Sequence, residues 1–235
     1  IWKTDGSESG TVKVITIPDN FNYDSYPQVI AAIGDKLFFI ANIDNSSYGS
    51  HSLWVSDGTQ TGSVMLGNYP GNYTFSEYIV HNNELYFIKM GSPFGAMALM
   101  KTDGTASGTV MVNGINIGYP RSLHSCGNYL YFASNGSPYD EQLFRTDGTV
   151  AGTIQLDGIE NAASLREYEC IESNLMYLDG LFPQTVKYTN GTTVGELNFD
   201  VVNAEDFSEY NMIMHLGHLG NKLFFSARTS QHGEE

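Results

Sequence analysis

The chain has 235 residues, 41% of them hydrophobic and 13% aromatic, which is enough to bury a core. Its net charge of −15 at pH 7 disfavours binding to a nucleic-acid backbone or an anionic bilayer, and no apolar run has the length of a membrane span. Only 16% of the residues are charged, while Gly (25), Tyr (15) and Phe (13) are abundant, a balance that is typical of a turn-rich all-β protein.

One motif occurs five times along the chain. Its clearest copy is residues 53–63, Leu-Trp-Val-Ser-Asp-Gly-Thr-Gln-Thr-Gly-Ser. An apolar entry, an Asp-Gly turn and a second Gly that lets the chain re-enter a strand predict a hairpin in each copy. The turn residues of the five copies are Asp5, Asp57, Asp103, Asp147 and Asn190. They follow one another at intervals in the forties and low fifties, a period that is typical of propellers and other repeat arrays.

A second signature precedes each complete copy of the motif: a two-residue polar turn followed by an aromatic strand. Its copies begin at Gly34, Asn82, Gly127, Ser173 and Gly220. Together the two signatures predict four strands per repeat, which we label A, B, C and D in chain order. Four antiparallel strands that recur in this way form the blade of a β-propeller.

The two ends of the chain predict how the array closes. The chain begins with the C and D strands of a repeat and stops after the A and B strands of another, over Met212–Arg228. We therefore expect the first strands to complete the last blade, which gives a five-bladed propeller in a single domain over residues 1–235 and hides the sheet edges. The alternative is that five repeats belong to a larger ring. Because the sequence opens within a repeat, we expect a fragment of a larger multidomain protein.

Two kinds of loop vary in length, B to C and D to A, and both emerge on the same face of a four-stranded blade. Variable loops on a rigid scaffold are where binding is usually found. Aromatic side chains in these loops are predicted to stack on sugar rings or to anchor a protein partner. The predicted ligand-binding residues are Tyr23, Tyr26, Tyr48, Tyr73, Phe94, Tyr119, Tyr139 and Phe207.

The motif copies resemble the Glu-Leu-Trp-x-Ser/Thr-Asp-Gly-Thr-x-x-Gly-Thr repeat of secreted and surface proteins of bacteria, notably Bacteroidetes. Met100 and Phe144 stand where that family has Trp, and the last copy departs from it at Tyr188 and Asn190. The resemblance implies an extracellular or cell-surface β-propeller within a long chain, exported by the type IX route. Its implied partners are the other domains of the parent chain and the secretion machinery. The resemblance implies no reaction.

Two hypotheses for function remain. The main one is a non-catalytic recognition or spacer module that binds glycan or protein through the variable-loop face. The alternative is a glycan-cleaving hydrolase, for which Glu77 and Glu167 are the candidate carboxylates because both stand eight residues before the first Leu of a B strand. Against the hydrolase, no third acid occupies that position in the other repeats.

The repeated turns, the motif tryptophans and the two cysteines each allow both a functional and a structural interpretation. The repeated Asp-Gly-Thr offers hard oxygen ligands, but each copy has one carboxylate, so we expect structural turns, with calcium as an open alternative and no other cofactor or metal. Trp2 and Trp54 share a motif position and are expected to pack between blades. Cys126 and Cys170 lie near the ends of neighbouring A strands, and both a disulfide and two thiols stay open.

Overall fold

The computed structural model describes residues 1–17, 25–43, 51–69, 75–91, 95–112, 118–134, 142–157, 167–179, 185–197, 214–226, 228–229 and 233–234. Over these ranges the secondary structure is all β, and no helix is present that is long and apolar enough to cross a membrane. The chain divides into two compact units, Ile1–Asn116 and Ile117–Glu235. The single domain over residues 1–235 stays a prediction.

The first unit contains three antiparallel sheets. Sheet 1 consists of β1 (Trp2–Lys3) and β2 (Val12–Lys13). Sheet 2 consists of β3 (Gln28–Ile33), β4 (Lys36–Asn42), β5 (His51–Ser56) and β6 (Val64–Tyr69). Sheet 3 consists of β7 (Phe75–His81), β8 (Glu84–Gly91), β9 (Gly95–Thr102) and β10 (Val110–Met111).

The second unit repeats the pattern. Sheet 4 consists of β11 (Arg121–Cys126), β12 (Tyr129–Ser134), β13 (Gln142–Thr146) and β14 (Ile154–Gln155). Sheet 5 consists of β15 (Tyr168–Ile171), β16 (Asn174–Asp179), β17 (Thr185–Thr189) and β18 (Val194–Glu196). Sheet 6 consists of β19 (Met214–Leu219) and β20 (Lys222–Ser226), and a further pair is β21 (Arg228–Thr229) with β22 (Gly233–Glu234).

The prediction of four antiparallel strands per repeat is confirmed in sheets 2 to 5. In each of these sheets the strands are hydrogen-bonded in chain order, from A to D. The prediction that the ends of the chain complete one blade is wrong for the described strands, because β1–β2 and β19–β20 are two separate sheets. β1 has only two residues, against six in β5. The ammonium group of Ile1 also donates to the carbonyl of Ile15, 2.8 Å away, which holds the chain start within its own sheet.

Each complete C–D turn is closed by its aspartate. The Oδ1 atom of Asp57 accepts hydrogen bonds from the backbone N (2.9 Å) and the hydroxyl (2.7 Å) of Thr59, and these bonds lower the pKa of Asp57, the hydroxyl bond most. A Cβ on Gly62 would lie 2.0 Å from the same oxygen, so the second glycine makes room for the carboxylate. The same bonds recur at the other turn aspartates, Asp5, Asp103 and Asp147.

The fifth turn is two residues shorter than the others. In sheet 4 the amide of Leu156 donates to the carbonyl of Leu143, thirteen residues earlier. In sheet 5 the amide of Leu197 donates to the carbonyl of Val186, only eleven residues earlier. Gly195 therefore lies in β18, opposite Tyr188, and is not the second turn glycine that its place in the sequence suggested. Asn190 closes the short turn by accepting from the amides of both Thr192 and Thr193.

A layer of apolar side chains packs sheet 2 against the segment that follows β2. In sheet 2 the rings of Phe39 and Trp54 stack with their centroids 5.9 Å apart, and Ala41 lies in the same layer. These side chains cover Ile15 and Ile17 of the segment that follows β2. The predicted packing role of Trp54 is therefore seen.

Trp2 occupies the same motif position but does not pack in this way. Its side chain is 66% exposed, so its predicted packing role is wrong. The reason lies in the pairing of its strand. Among the described strands β1 pairs only with β2, so its sheet has no B strand like β4, whose Phe39 stacks on Trp54.

Candidate functional site

The predicted ligand-binding aromatics fall mostly outside the described residues. Tyr23, Tyr48, Tyr73, Phe94, Tyr139 and Phe207 lie there. Tyr26, in the first unit, is 71% exposed and has a φ of 39°, and Tyr119, in the second unit, is 51% exposed. These two side chains are accessible, and binding through the variable-loop face stays a prediction.

The two candidate carboxylates lie in different units. Glu77 is in β7, within a break in register between Phe75 and Tyr78, and Glu167 immediately precedes β15. Both are partly buried. The equivalent residue of sheet 4, Ser122, lies in a similar register break and has a φ of 56°. The chosen position therefore coincides with a β-bulge in three A strands, β7, β11 and β19, so the bulge belongs to the repeat and is not particular to Glu77. A β-bulge re-aims side chains and is common next to active sites.

The turn aspartates do not assemble into a shared metal site. Each accepts hydrogen bonds from its own turn, and the described part of the chain contains no group of three or more His, Cys, Asp or Glu side chains that could hold a metal ion. Calcium binding stays an open alternative for the chain as a whole.

Cys126 and Cys170 form a disulfide, which resolves the alternative that the sequence left open. The bond joins β11 of sheet 4 to β15 of sheet 5, with the two Cα atoms 5.5 Å apart. Both residues belong to a core cluster that also contains Tyr131, Leu175 and Tyr177. The crosslink therefore fastens the first strands of sheets 4 and 5 to each other at their shared core.

Sheet 5 replaces the apolar layer of sheet 2 with polar groups. The strand registers place three residues at the positions of Phe39, Ala41 and Trp54, and these are Tyr177, Asp179 and Lys187. Asp179 is only 2% exposed, and its Oδ2 lies 2.5 Å from the Nζ of Lys187. A buried ion pair of this kind is seldom more stabilising than apolar packing, so packing does not explain its presence.

Tyr177 of this layer and Tyr131 of sheet 4 are buried phenols of the same core cluster. The hydroxyl groups of Tyr177 and Tyr131 have no hydrogen-bond partner among the described residues. Burial raises the pKa of Tyr131 to about 12, and burial together with the nearby Asp179 carboxylate raises the pKa of Tyr177 further. Both phenols are therefore neutral at physiological pH and would serve as hydrogen-bond donors rather than as bases.

A groove of about 700 Å³ opens beside the polar layer, between β14 and the short turn of sheet 5. Its lining combines charged, amide, hydroxyl and apolar groups. The residues are Arg145, Ile154, Gln155, Leu156, Asp157, Lys187, Gly191, Thr192, Val194, Gly195 and Glu196. Two changes from the other repeats lie beside the groove: Lys187 stands where the motif has a large apolar residue, and the turn next to it is two residues shorter.

The cationic side chains of the groove are already held in place. Lys187 pairs with Asp179. The Nε of Arg145 donates to the carbonyl of Gly191, one Nη donates to that of Gly152 at 3.3 Å, and the guanidinium lies 4.1 Å from the ring centroid of Tyr129. At the mouth, Asp157 and Glu196 are exposed. The groove is thus a pre-organised polar surface with carboxylates at its rim.

Neither described aromatic of the predicted binding set, Tyr26 or Tyr119, lines this groove. Sequence reasoning therefore missed the site, although its signal was present. Lys187 is the one polar residue at a motif position that the other four copies fill with Trp, Met or Phe.

No protein-family model matches the chain, and no curated protein matches it. Among solved structures, a puromycin hydrolase is 9% identical with a TM-score of 0.48, covering 93% of this chain and 35% of that one. An α-L-arabinofuranosidase from Clostridium thermocellum is 10% identical with a TM-score of 0.34, and the match covers 87% of this chain and 82% of that one. An endo-arabinanase from Bacillus licheniformis is 13% identical with a TM-score of 0.28, and the match covers 94% of this chain and 93% of that one. Likeness at this level does not identify an activity for the chain.

Proposed function

We propose that this chain is a non-catalytic recognition module, built as a β-propeller from five copies of its repeat, within a larger secreted or surface-anchored bacterial protein. The observation that carries the proposal is the polar layer of Tyr177, Asp179 and Lys187 beside an open groove. The repeat fills the same layer with apolar side chains in sheet 2, where it serves packing alone. A groove that combines apolar side chains with a few polar groups held in fixed positions is typical of a binding site.

The disulfide supports a location outside the cytoplasm. Bonds such as Cys126–Cys170 form and persist in oxidising compartments and are rare in the reducing cytosol. This agrees with the export that the repeat resemblance implies. The other domains of the parent chain and the secretion machinery are the partners that such a location would bring.

A matched pair of variants tests the groove. Asp179→Ala with Lys187→Trp rebuilds the apolar layer of sheet 2, and Met100→Trp introduces the motif residue in sheet 3 as the control. The purified chain and both variants are screened against a glycan array and a peptide array. We expect binding that the double variant loses and the control keeps, with the unfolding midpoint of the double variant unchanged or higher. Ligand binding that survives the double variant would refute the groove as the site.

The second candidate is a glycan-cleaving hydrolase that uses Glu77 and Glu167. The bulge at Glu77 is the observation that favours it. Because some of the similar structures act on arabinan or were solved with β-1,3-galactotriose, arabino-oligosaccharides and that trisaccharide are suitable probes. Release of reducing ends that is lost in both Glu77→Gln and Glu167→Gln, but kept in Glu172→Gln, would establish the hydrolase. If the main proposal is right, neither the unmodified chain nor any of the three variants releases sugar from these substrates.

A further inference from the structure

The first unit shows what one repeat turn does to the sheet before it. The carboxamide of Gln60, in the C–D turn of sheet 2, bonds to both backbone groups of Thr16, which follows β2. Its Oε1 accepts from the amide of Thr16 at 2.6 Å, and its Nε2 donates to the carbonyl of Thr16 at 3.1 Å. A carboxamide carries the same donor and acceptor as a peptide group, so Gln60 occupies the place where a further strand would pair.

The corresponding turn of sheet 5 is two residues shorter and contains no glutamine. The residue of sheet 4 that corresponds to Thr16 is Gly158, which lies outside the described residues. The groove lies beside the residues that precede Gly158, because four consecutive residues of sheet 4, Ile154 to Asp157, line it. Among the described strands, β14 is therefore the last strand of sheet 4 and borders open space.

The backbone of this edge is oriented for pairing. The amide of Leu156 donates to Leu143 within sheet 4. Because backbone groups alternate along an extended strand, the amide of Gln155 in β14 faces away from β13, and Gln155 lines the groove. Among the described strands β14 stands at the edge of sheet 4, and an edge of this kind is a template for an added strand.

The charges of the groove select among peptides. Lys187 is paired with Asp179, and Arg145 is bound to two carbonyls and a ring. The exposed charges at the rim are the carboxylates of Asp157 and Glu196, and the whole chain carries a net charge of −15. An extended segment with basic side chains complements this rim, whereas an acidic one is repelled.

Building on the proposed recognition function, we propose that the groove binds an extended, basic polypeptide segment, which adds as a fifth strand beside β14 of sheet 4. Backbone hydrogen bonds to the edge supply affinity, and the rim carboxylates supply the preference for lysine or arginine. The other ligand class, a glycan, is an outcome of the test below.

The test uses three labelled peptides and fluorescence anisotropy on the full chain. The peptides are an alternating Thr-Lys octamer, an alternating Thr-Glu octamer, and the Thr-Lys octamer with every second amide N-methylated. Alternating Thr favours the extended conformation, and N-methylation removes the strand-pairing donors. We expect the Thr-Lys peptide to bind and the other two to bind at least about tenfold more weakly.

Two variants locate the binding. Insertion of Gln-Thr between Thr192 and Thr193 restores the full turn length and should abolish binding by filling the groove. Asp157→Asn with Glu196→Gln leaves the backbone intact and should weaken binding of the Thr-Lys peptide about tenfold, while Glu172→Gln serves as the charge control. Equal binding by the N-methylated peptide, or undiminished binding by both groove variants, would overturn the proposal.

The outcomes separate this inference from the function on which it rests. If no peptide binds but a glycan does, and Asp179→Ala with Lys187→Trp abolishes that binding, the recognition function stands and the peptide assignment is wrong. If the double variant changes no binding at all, the groove is not a recognition site and both proposals fail.

Discussion

Reduction of the Cys126–Cys170 disulfide should lower the stability of the second unit by about 4 kcal/mol. The bond closes a loop with a sequence separation of 44 residues. The loop-closure entropy that it removes from the unfolded chain corresponds to about 4 kcal/mol at 25 °C. With an m-value of about 2 kcal/mol per molar urea, the unfolding midpoint should fall by roughly 2 M on reduction.

Urea unfolding with and without a phosphine reductant measures this effect. Hydrogen exchange of the amides in β11 and β15 assigns the change to the two strands that the bond joins. The double variant Cys126→Ala with Cys170→Ala is the control, since the reductant should not shift its midpoint. If the oxidised and reduced chains unfold at the same urea concentration, the loop-entropy argument fails for this protein.

Three further predictions concern side chains at turns and in the core. Tyr131→Phe and Tyr177→Phe should each raise the free energy of unfolding by about 1 kcal/mol, because each removes a buried hydroxyl that has no partner among the described residues. A lower free energy of unfolding in a urea titration would show that the hydroxyl is hydrogen-bonded. Glu172→Asn with Ser173→Gly should raise the stability by about 1 kcal/mol, because both residues have positive φ (49° and 66°), and an unchanged thermal midpoint would contradict this. Replacing all four turn aspartates by Asn should flatten the acid limb of stability against pH. Hydrogen bonds lower their pKa below 3.8, so the ionised carboxylates stabilise the fold above that pH and the contribution is lost as pH falls through the lowered values; an unchanged acid limb between pH 2.5 and 5 would refute the argument.

The sheets were predictable because their signals are local. An Asp-Gly turn with a second glycine has few ways to fold, since Asp57 must bond to Thr59 and its carboxylate must lie over Gly62. The two-residue turns before the B strands are equally short-range. Sequence spacing alone therefore predicted four strands per repeat and their order.

Long-range pairing was less accessible to sequence reasoning. The closing blade needed strands from the two ends of the chain to pair, and no local motif specifies such a contact. The register of the fifth turn was misjudged because Gly195 matches the motif by position in the sequence, whereas the bond from Leu197 to Val186 shows that the turn is shorter.

The groove was missed for a related reason. It arises from what two repeats do to each other, and neither repeat predicts it by itself. Lys187 among apolar equivalents was the available signal, but the buried partner that explains it, Asp179, lies on a neighbouring strand. The variable-loop aromatics remain a separate prediction, of which only Tyr26 and Tyr119 are described.

The bond between Gln60 and Thr16 has a consequence for how such arrays diversify. Thr16 takes part in this contact only through its backbone amide and carbonyl, which every residue except proline provides. Substitution of Thr16 by any residue except proline therefore leaves both hydrogen bonds possible. Only the turn that supplies Gln60 has to keep its length and its amide. The other full-length turns have Glu8, Ala106 and Val150 at this place, so a single substitution in a turn is enough to add or remove such a contact without any change in the segment that it meets.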